Sequence, residues 1–166
     1  MLPDPLDIIW RSADNSQPVF TAEDLAGVPP QLVNRLTELG VLRPASTATH
    51  VICDACDEHH VECVIPIKYP GGQTRFFIRC PENGRIEVPR ERLLQWTVDY
   101  APLLTALAKA LSAHGPIAEV VPRRVWNLGR VSLAGKSKPI WAARGLAWPD
   151  AGQIAAWVDE AIAANP

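Results

Sequence analysis

The chain has 166 residues, 48% of them hydrophobic and 20% charged, with a formal net charge of −2. That is enough apolar material for one core or two small ones, and it excludes a globally disordered chain. Its most apolar stretches, 101–111 and 151–164, are interrupted by Lys109, Asp159 and Glu160, so no membrane span and no membrane partner are expected.

The first residues, Met1-Leu-Pro-Asp-Pro-Leu-Asp, carry no basic region and no apolar run. They do not read as a signal peptide, and a cytoplasmic location is expected. Residues 5–20 predict a short helix with Leu6, Ile9 and Trp10 inward, broken by Asn15, Ser16 and Pro18. Thr21-Ala-Glu-Asp reads as a capped start with acids in the first turn, giving a helix over 22–26 that Gly27 ends. Pro29 or Pro30 then suits the first turn of a helix running to about residue 39. There Leu32, Val33, Leu36 and Leu39 face inward, while Gln31, Asn34, Arg35 and Glu38 face out. Gly40 stops the helix, and residues 41–52 read as a hairpin turning at 45–49.

This order of elements, with the segment TAEDLAGVPPQLVNRLTELGVLRP, resembles the winged helix-turn-helix domain of bacterial regulators over residues 6–52. The resemblance implies DNA as partner. Gln31, Asn34 and Arg35 would then read base edges, with Arg43, Thr47 and Thr49 near phosphate. The same module also serves for docking, so a homodimer or a protein partner is a second expectation.

Three of the four cysteines crowd into 53–63, and without a secretion signal metal binding is the better reading than two disulfides. Cys53-x₂-Cys56 is a knuckle whose two thiolates can reach one ion. Beyond it, 60–69 and 73–80 alternate as strands about Pro70-Gly71-Gly72, and 85–88 offers a third. Residues 53–90 resemble a zinc ribbon. Ribbons usually carry a second Cys-x₂-Cys-Gly, whereas here the chain reads Cys80-Pro81-Glu82-Asn83-Gly84, with Asn83 at the place of the fourth thiol. Structural zinc takes four nitrogen or sulfur ligands, so another residue must complete the set. His60, four residues past Cys56, ranks first; Cys63 and His59 follow. The expected centre is one structural Zn²⁺ on Cys53, Cys56, His60 and Cys80. Glu58 and Glu62 flank the histidines, but the pattern is neither H-E-x-x-H nor the deaminase signature, so an open catalytic site is the lesser expectation.

Farther on, Leu93, Leu94 and Trp96 offer apolar anchors. A helix follows from about 99, with Leu103, Leu104, Leu107 and Leu111 as its core stripe, and Gly115-Pro116 ends it. Residues 120–143 read as a hairpin turning at 134–138. Pro149-Asp150 opens a last helix that buries Ala151, Ile154, Ala155, Val158, Ala161 and Ile162. Over 119–149, Arg123, Arg124, Arg130, Lys136, Lys138 and Arg144 stand against Glu119 alone, interleaved with Trp126 and Trp141. Such a mixture suits phosphate contact and base stacking.

The whole reads as an α+β chain: a winged helix-turn-helix over 1–52, a zinc-ribbon-like module over 53–92, and an α+β segment with a basic hairpin over 93–166. The expected function is that of a zinc-stabilised DNA-binding protein, a transcriptional regulator that catalyses no reaction. A protein-interaction or assembly module and a zinc-dependent hydrolase or nuclease using Glu58 or Glu62 are the alternatives.

Overall fold

The computed structural model describes residues 6–163. In chain order its elements are α1 (Asp7–Arg11), β1 (Val19–Thr21), α2 (Pro30–Glu38), β2 (Leu42–Pro44), β3 (His50–Ile52), β4 (Val61–Cys63), β5 (Ile65–Lys68), β6 (Thr74–Cys80), β7 (Gly84–Val88), β8 (Gln95–Val98), α3 (Ala101–Ala110), β9 (Ala118–Val121), β10 (Val125–Leu133), β11 (Lys136–Ala143) and α4 (Ala151–Ala163). The fold is mixed: helices combined with several small antiparallel sheets. The chain divides into two compact units. One comprises the residues up to Pro18, Leu36–Val41 and everything from Val98; the other comprises Val19–Arg35 and Leu42–Thr97.

The Val19–Thr97 unit holds three sheets, in orders β1–β8–β2, β3–β4 and β5–β6–β7. Strand alternation sets its interior: β6 pairs Ile78 with Ile86 and Phe76 with Val88, placing these side chains on one face with Cys80. That face closes on Ala48, Val51, Cys53, Cys56 and Leu93. Three of the eight buried members of this core are therefore thiols. Each of its larger aliphatics contributes about 1.5–3 kcal/mol on burial, and there are only four: Val51, Ile78, Val88 and Leu93. So small an interior gains much from a cross-link.

The other unit is built on the sheet β11–β10–β9, with α3 against β10. Leu104 and Ala108 are the buried residues of α3, while Val125, Trp126, Leu128 and Val131 are buried on β10. Tyr100 meets Trp126 with ring centres 6.1 Å apart, and Trp141 on β11 meets Trp157 on α4 edge-on at 5.8 Å. The β10–β11 register shifts between Asn127 and Arg130; Arg130 pairs with Pro139 of β11 and also bridges to His114. Gly129 sits in this bulge at φ +97°, and a Cβ there would lie 2.4 Å from the carbonyl oxygen of His114. Only glycine fits.

Several expectations need correction. Residues 22–27 are turns, not a helix. Thr21 and Asp24 bond each other's side chains and backbone: Asp24 Oδ2 accepts from Thr21 N and Oγ1 at 2.8 Å, and Thr21 Oγ1 accepts from Asp24 N at 3.2 Å. This closes a single turn, and Gly27, Pro29 and Pro30 follow too soon for another. Nor is 41–52 a hairpin. Leu42–Pro44 lies beside β8, and His50–Ile52 pairs with Val61–Cys63. The helix and the wing expected of a winged helix-turn-helix are thus missing from the described residues. The expected strand 60–69 breaks at Val64, whose N–H donates to Thr49 O at 2.8 Å, so β4 joins β3 while β5 joins β6. The hairpin expected over 120–143 has three strands, because β9 adds to β10. Trp10, Leu39, Leu107, Leu111, Ala155 and Ile162, expected inward, are exposed. α2 ends where expected: Gly40 takes φ +73°, with Gly40 N–H on Thr37 O and Val41 N–H on Leu36 O, both at 2.9 Å.

Candidate metal centre

Cys53 follows β3 directly, and its N–H donates to His60 O at 2.8 Å, closing the loop that carries Cys56. Cys80 ends β6 and pairs with Gly84, which takes φ +73° to turn the chain into β7. The two knuckles face each other across the core. One ligand atom from each of Cys53, Cys56, His60 and Cys80 lies within 4.8 Å of the others, close enough for one metal ion to be held by all four. The Cys53 and Cys56 sulfurs are 3.9 Å apart, and Cys56 Sγ is 3.4 Å from His60 Nδ1. Cys53 and Cys80 are fully buried; His60 is half-buried at the edge.

Two observations fit a metal ion here. His60 Nε2 is buried and has no hydrogen-bond partner; its nearest acid, Glu62 Oε1, stands at 3.5 Å, beyond hydrogen-bond length. Were Nδ1 to hold a cation, the imidazole proton would sit on Nε2, facing Glu62, as in metal-bound imidazoles generally. The thiols supply the second observation. Burial pushes Cys56 up to about 11, partly offset by the Glu58 backbone N–H, with Cys80 and Cys53 adding to the rise. Burial also raises Cys80, but the N–H groups of Asn83 and Glu82 and the neighbouring thiols outweigh it, and its net shift is downward. The shared cluster thus favours the protonated thiol at Cys56 and the thiolate at Cys80. A cation favours the thiolate at both.

Asn83 does not ligate. Its backbone N–H lies 3.4 Å from Cys80 Sγ, and its side-chain Nδ2 donates to Ala55 O in the opposite knuckle at 2.6 Å, with Cys80 Sγ at 3.7 Å. It thus ties the two knuckles together from the position of a fourth cysteine. Sequence reasoning noted the departure at Asn83 and missed this role, because its partner Ala55 lies 28 residues away. Arg92, also missed, anchors the loop's flank through Asp54 at 2.7 Å, Glu23 at 2.6 Å and Ile52 O at 2.8 Å.

Cys63 and His59 are exposed and lie outside the cluster, His59 at φ +47°. Glu58 is exposed as well. Gln31, Asn34 and Arg35 are exposed on α2, and Arg43 is exposed on β2. In the basic segment the residues divide. Arg123, Lys136 and Lys138 are exposed. Arg124 bonds Asp150 at 2.8 Å and the carbonyls of Arg144 and Gly145, and lies 4.1 Å above the ring of Trp148. Arg130 is held by Ser137 at 2.9 and 3.0 Å. Arg144 is buried between Tyr100 and Trp148 and donates to Asn15 O and Ser16 O. Comparison with models of known families, with curated proteins and with solved structures gives no match.

Proposed function

We propose that this chain is a zinc-stabilised DNA-binding protein, a transcriptional regulator whose metal is structural and whose α2 reads duplex DNA. The observation that carries the metal assignment is the closed donor set of three thiols and one imidazole. Such softness suits zinc, and zinc–sulfur bonds of about 2.3 Å span tetrahedral sulfurs about 3.8 Å apart, close to the 3.9 Å between Cys53 and Cys56. Four protein ligands would fill a tetrahedral ion and leave no position for water, which argues against a hydrolase; Glu62 stands 3.5 Å from His60 Nε2, on the far side of the imidazole from Cys56. With zinc bound, the chain's own groups position the ligands and exclude solvent, and the ion supplies a cross-link between the two knuckles.

The DNA reading is supported by the outer face of α2, where Gln31, Asn34 and Arg35 stand exposed while Leu36 is buried. Amide side chains pair with adenine edges and a guanidinium with guanine. Arg43 and the exposed bases Arg123, Lys136 and Lys138 suit phosphate. Elemental analysis of the purified chain should give one zinc per molecule, and gel shifts on duplex DNA should weaken steeply as salt rises. Absence of stoichiometric metal removes the structural half of the proposal. Absence of any duplex shift at low salt removes the DNA half.

A further inference from the structure

The sheet β5–β6–β7 carries a second surface, on the face turned away from the cysteine cluster. Register decides its membership: Ile65 lies opposite Phe77 and Ile67 opposite Arg75, while Arg79 lies opposite Arg85. Alternation puts these side chains on the face opposite Ile78 and Cys80. Ile65 is 49% exposed. It borders an open groove of about 360 Å³ lined also by Ile67, Phe77, Arg79 and Arg85. Two guanidinium groups lie over rings here: Arg85 is 4.3 Å from the centre of Phe77, and Arg75 is 5.6 Å from that of Tyr69. Arg75 is paired with Glu87 at 2.8 Å. Arg79 and Arg85 have no acid partner among the described residues, although the chain as a whole carries −2.

We infer that this face binds single-stranded nucleic acid, with a base in the groove over Ile65, Ile67 and the Arg85 guanidinium that covers the buried Phe77 ring, and a flanking phosphate on Arg79. A duplex would set phosphates, not base faces, on the isoleucines, and would bury no apolar surface. An acidic peptide would satisfy the arginines but offers no plane to match the stacked guanidinium and ring layers. Unstacked bases offer both a plane and an apolar face, and they stack on aromatic rings and on guanidinium planes alike. The inference shares with the proposed function only the premise of a nucleic-acid partner; it does not need α2.

The test uses the full zinc-loaded chain and fluorescence anisotropy with three probes: oligo(dT) of about 12 nucleotides, a duplex of equal length, and an oligoglutamate peptide. Oligo(dT) should bind. Arg79→Ala should weaken it about tenfold and flatten the salt slope by about 0.7. Ile65→Ala should weaken it and leave the slope unchanged. Both positions are exposed, and unchanged zinc content and circular dichroism confirm the fold. Combined Gln31→Ala, Asn34→Ala and Arg35→Ala should weaken the duplex alone. Duplex binding without oligo(dT) binding overturns this inference and leaves the α2 reading standing; oligo(dT) binding without duplex binding does the reverse. Oligo(dT) binding indifferent to Arg79 and Ile65, or oligoglutamate displacing it from the same face, also overturns the inference.

Discussion

Asn83 holds two chain segments with one amide. Its Nδ2 reaches Ala55 O in the first knuckle while its backbone N–H supports the Cys80 sulfur in the second. Loss of a group that orients a ligand costs metal affinity about 10–100-fold, whereas loss of a ligand removes the site. Asn83→Ala should therefore keep one zinc per chain but release it at a 10–100-fold lower concentration of competing chelator. Cys80→Ser should bind no zinc at all. Equal zinc retention in the two variants, measured by titration with a chromogenic chelator, would remove the distinction drawn between clamp and ligand. His60 was legible in the sequence because its four-residue distance from Cys56 let the imidazole turn back. Asn83's second hydrogen bond was not, because Ala55 is 28 positions away and nothing local announces that contact.

At the scale of elements, the bulge of β10 rests on one residue. Gly129 combines a left-handed backbone with a Cβ position filled by His114's carbonyl. Gly129→Ala must both strain the backbone and push the His114 turn away, at a cost of about 2–4 kcal/mol; a urea midpoint unchanged from that of the parent would contradict this packing. The start of α4 is held by Arg124, whose guanidinium keeps the Asp150 carboxyl below the usual carboxylate range, chiefly by a direct hydrogen bond against a smaller effect of burial. A depressed folded value means stability that is present above the ordinary carboxylate range and lost as pH falls through the lowered one. Asp150→Asn should therefore lower stability near neutral pH and converge with the parent in acid, flattening the acid limb of the stability curve, as followed by thermal melts across pH. Helices with strong local signals were readable, such as α2 from its prolines and Gly40, α3 from its leucines, and α4 from Pro149-Asp150. Strand partners were not. β2 pairs with β8 more than fifty residues along the chain, and period-2 alternation carries no information about which distant strand completes a sheet. For the same reason the stretch 41–52 looked like a hairpin.

For the whole molecule, the division into two units separates two kinds of interior. One is aromatic, with Tyr100, Trp126, Trp141 and Trp157 packed around β10, β11 and α4. The other contains a core cluster in which three of the eight buried members are thiols. Removing the metal should act on the second and spare the first. Hydrogen exchange followed by mass spectrometry should show residues 50–88 losing protection on chelation while residues 125–143 keep theirs; uniform loss across both would contradict independent stabilisation. The buried Arg144, fixed by π faces and two carbonyls with no carboxylate among the described residues, is invisible to sequence reasoning, which counted it as surface charge.

The interleaving of the two units also sets an order of assembly. Residues 42–97 emerge from the ribosome as a block, whereas the aromatic unit needs segments on both sides of that block. A polypeptide made from its amino end can close the cysteine-bearing part first, since units fold as soon as their pieces exist. Capture of the ion can then be an early event in biosynthesis, complete before the last strands of the aromatic unit leave the ribosome.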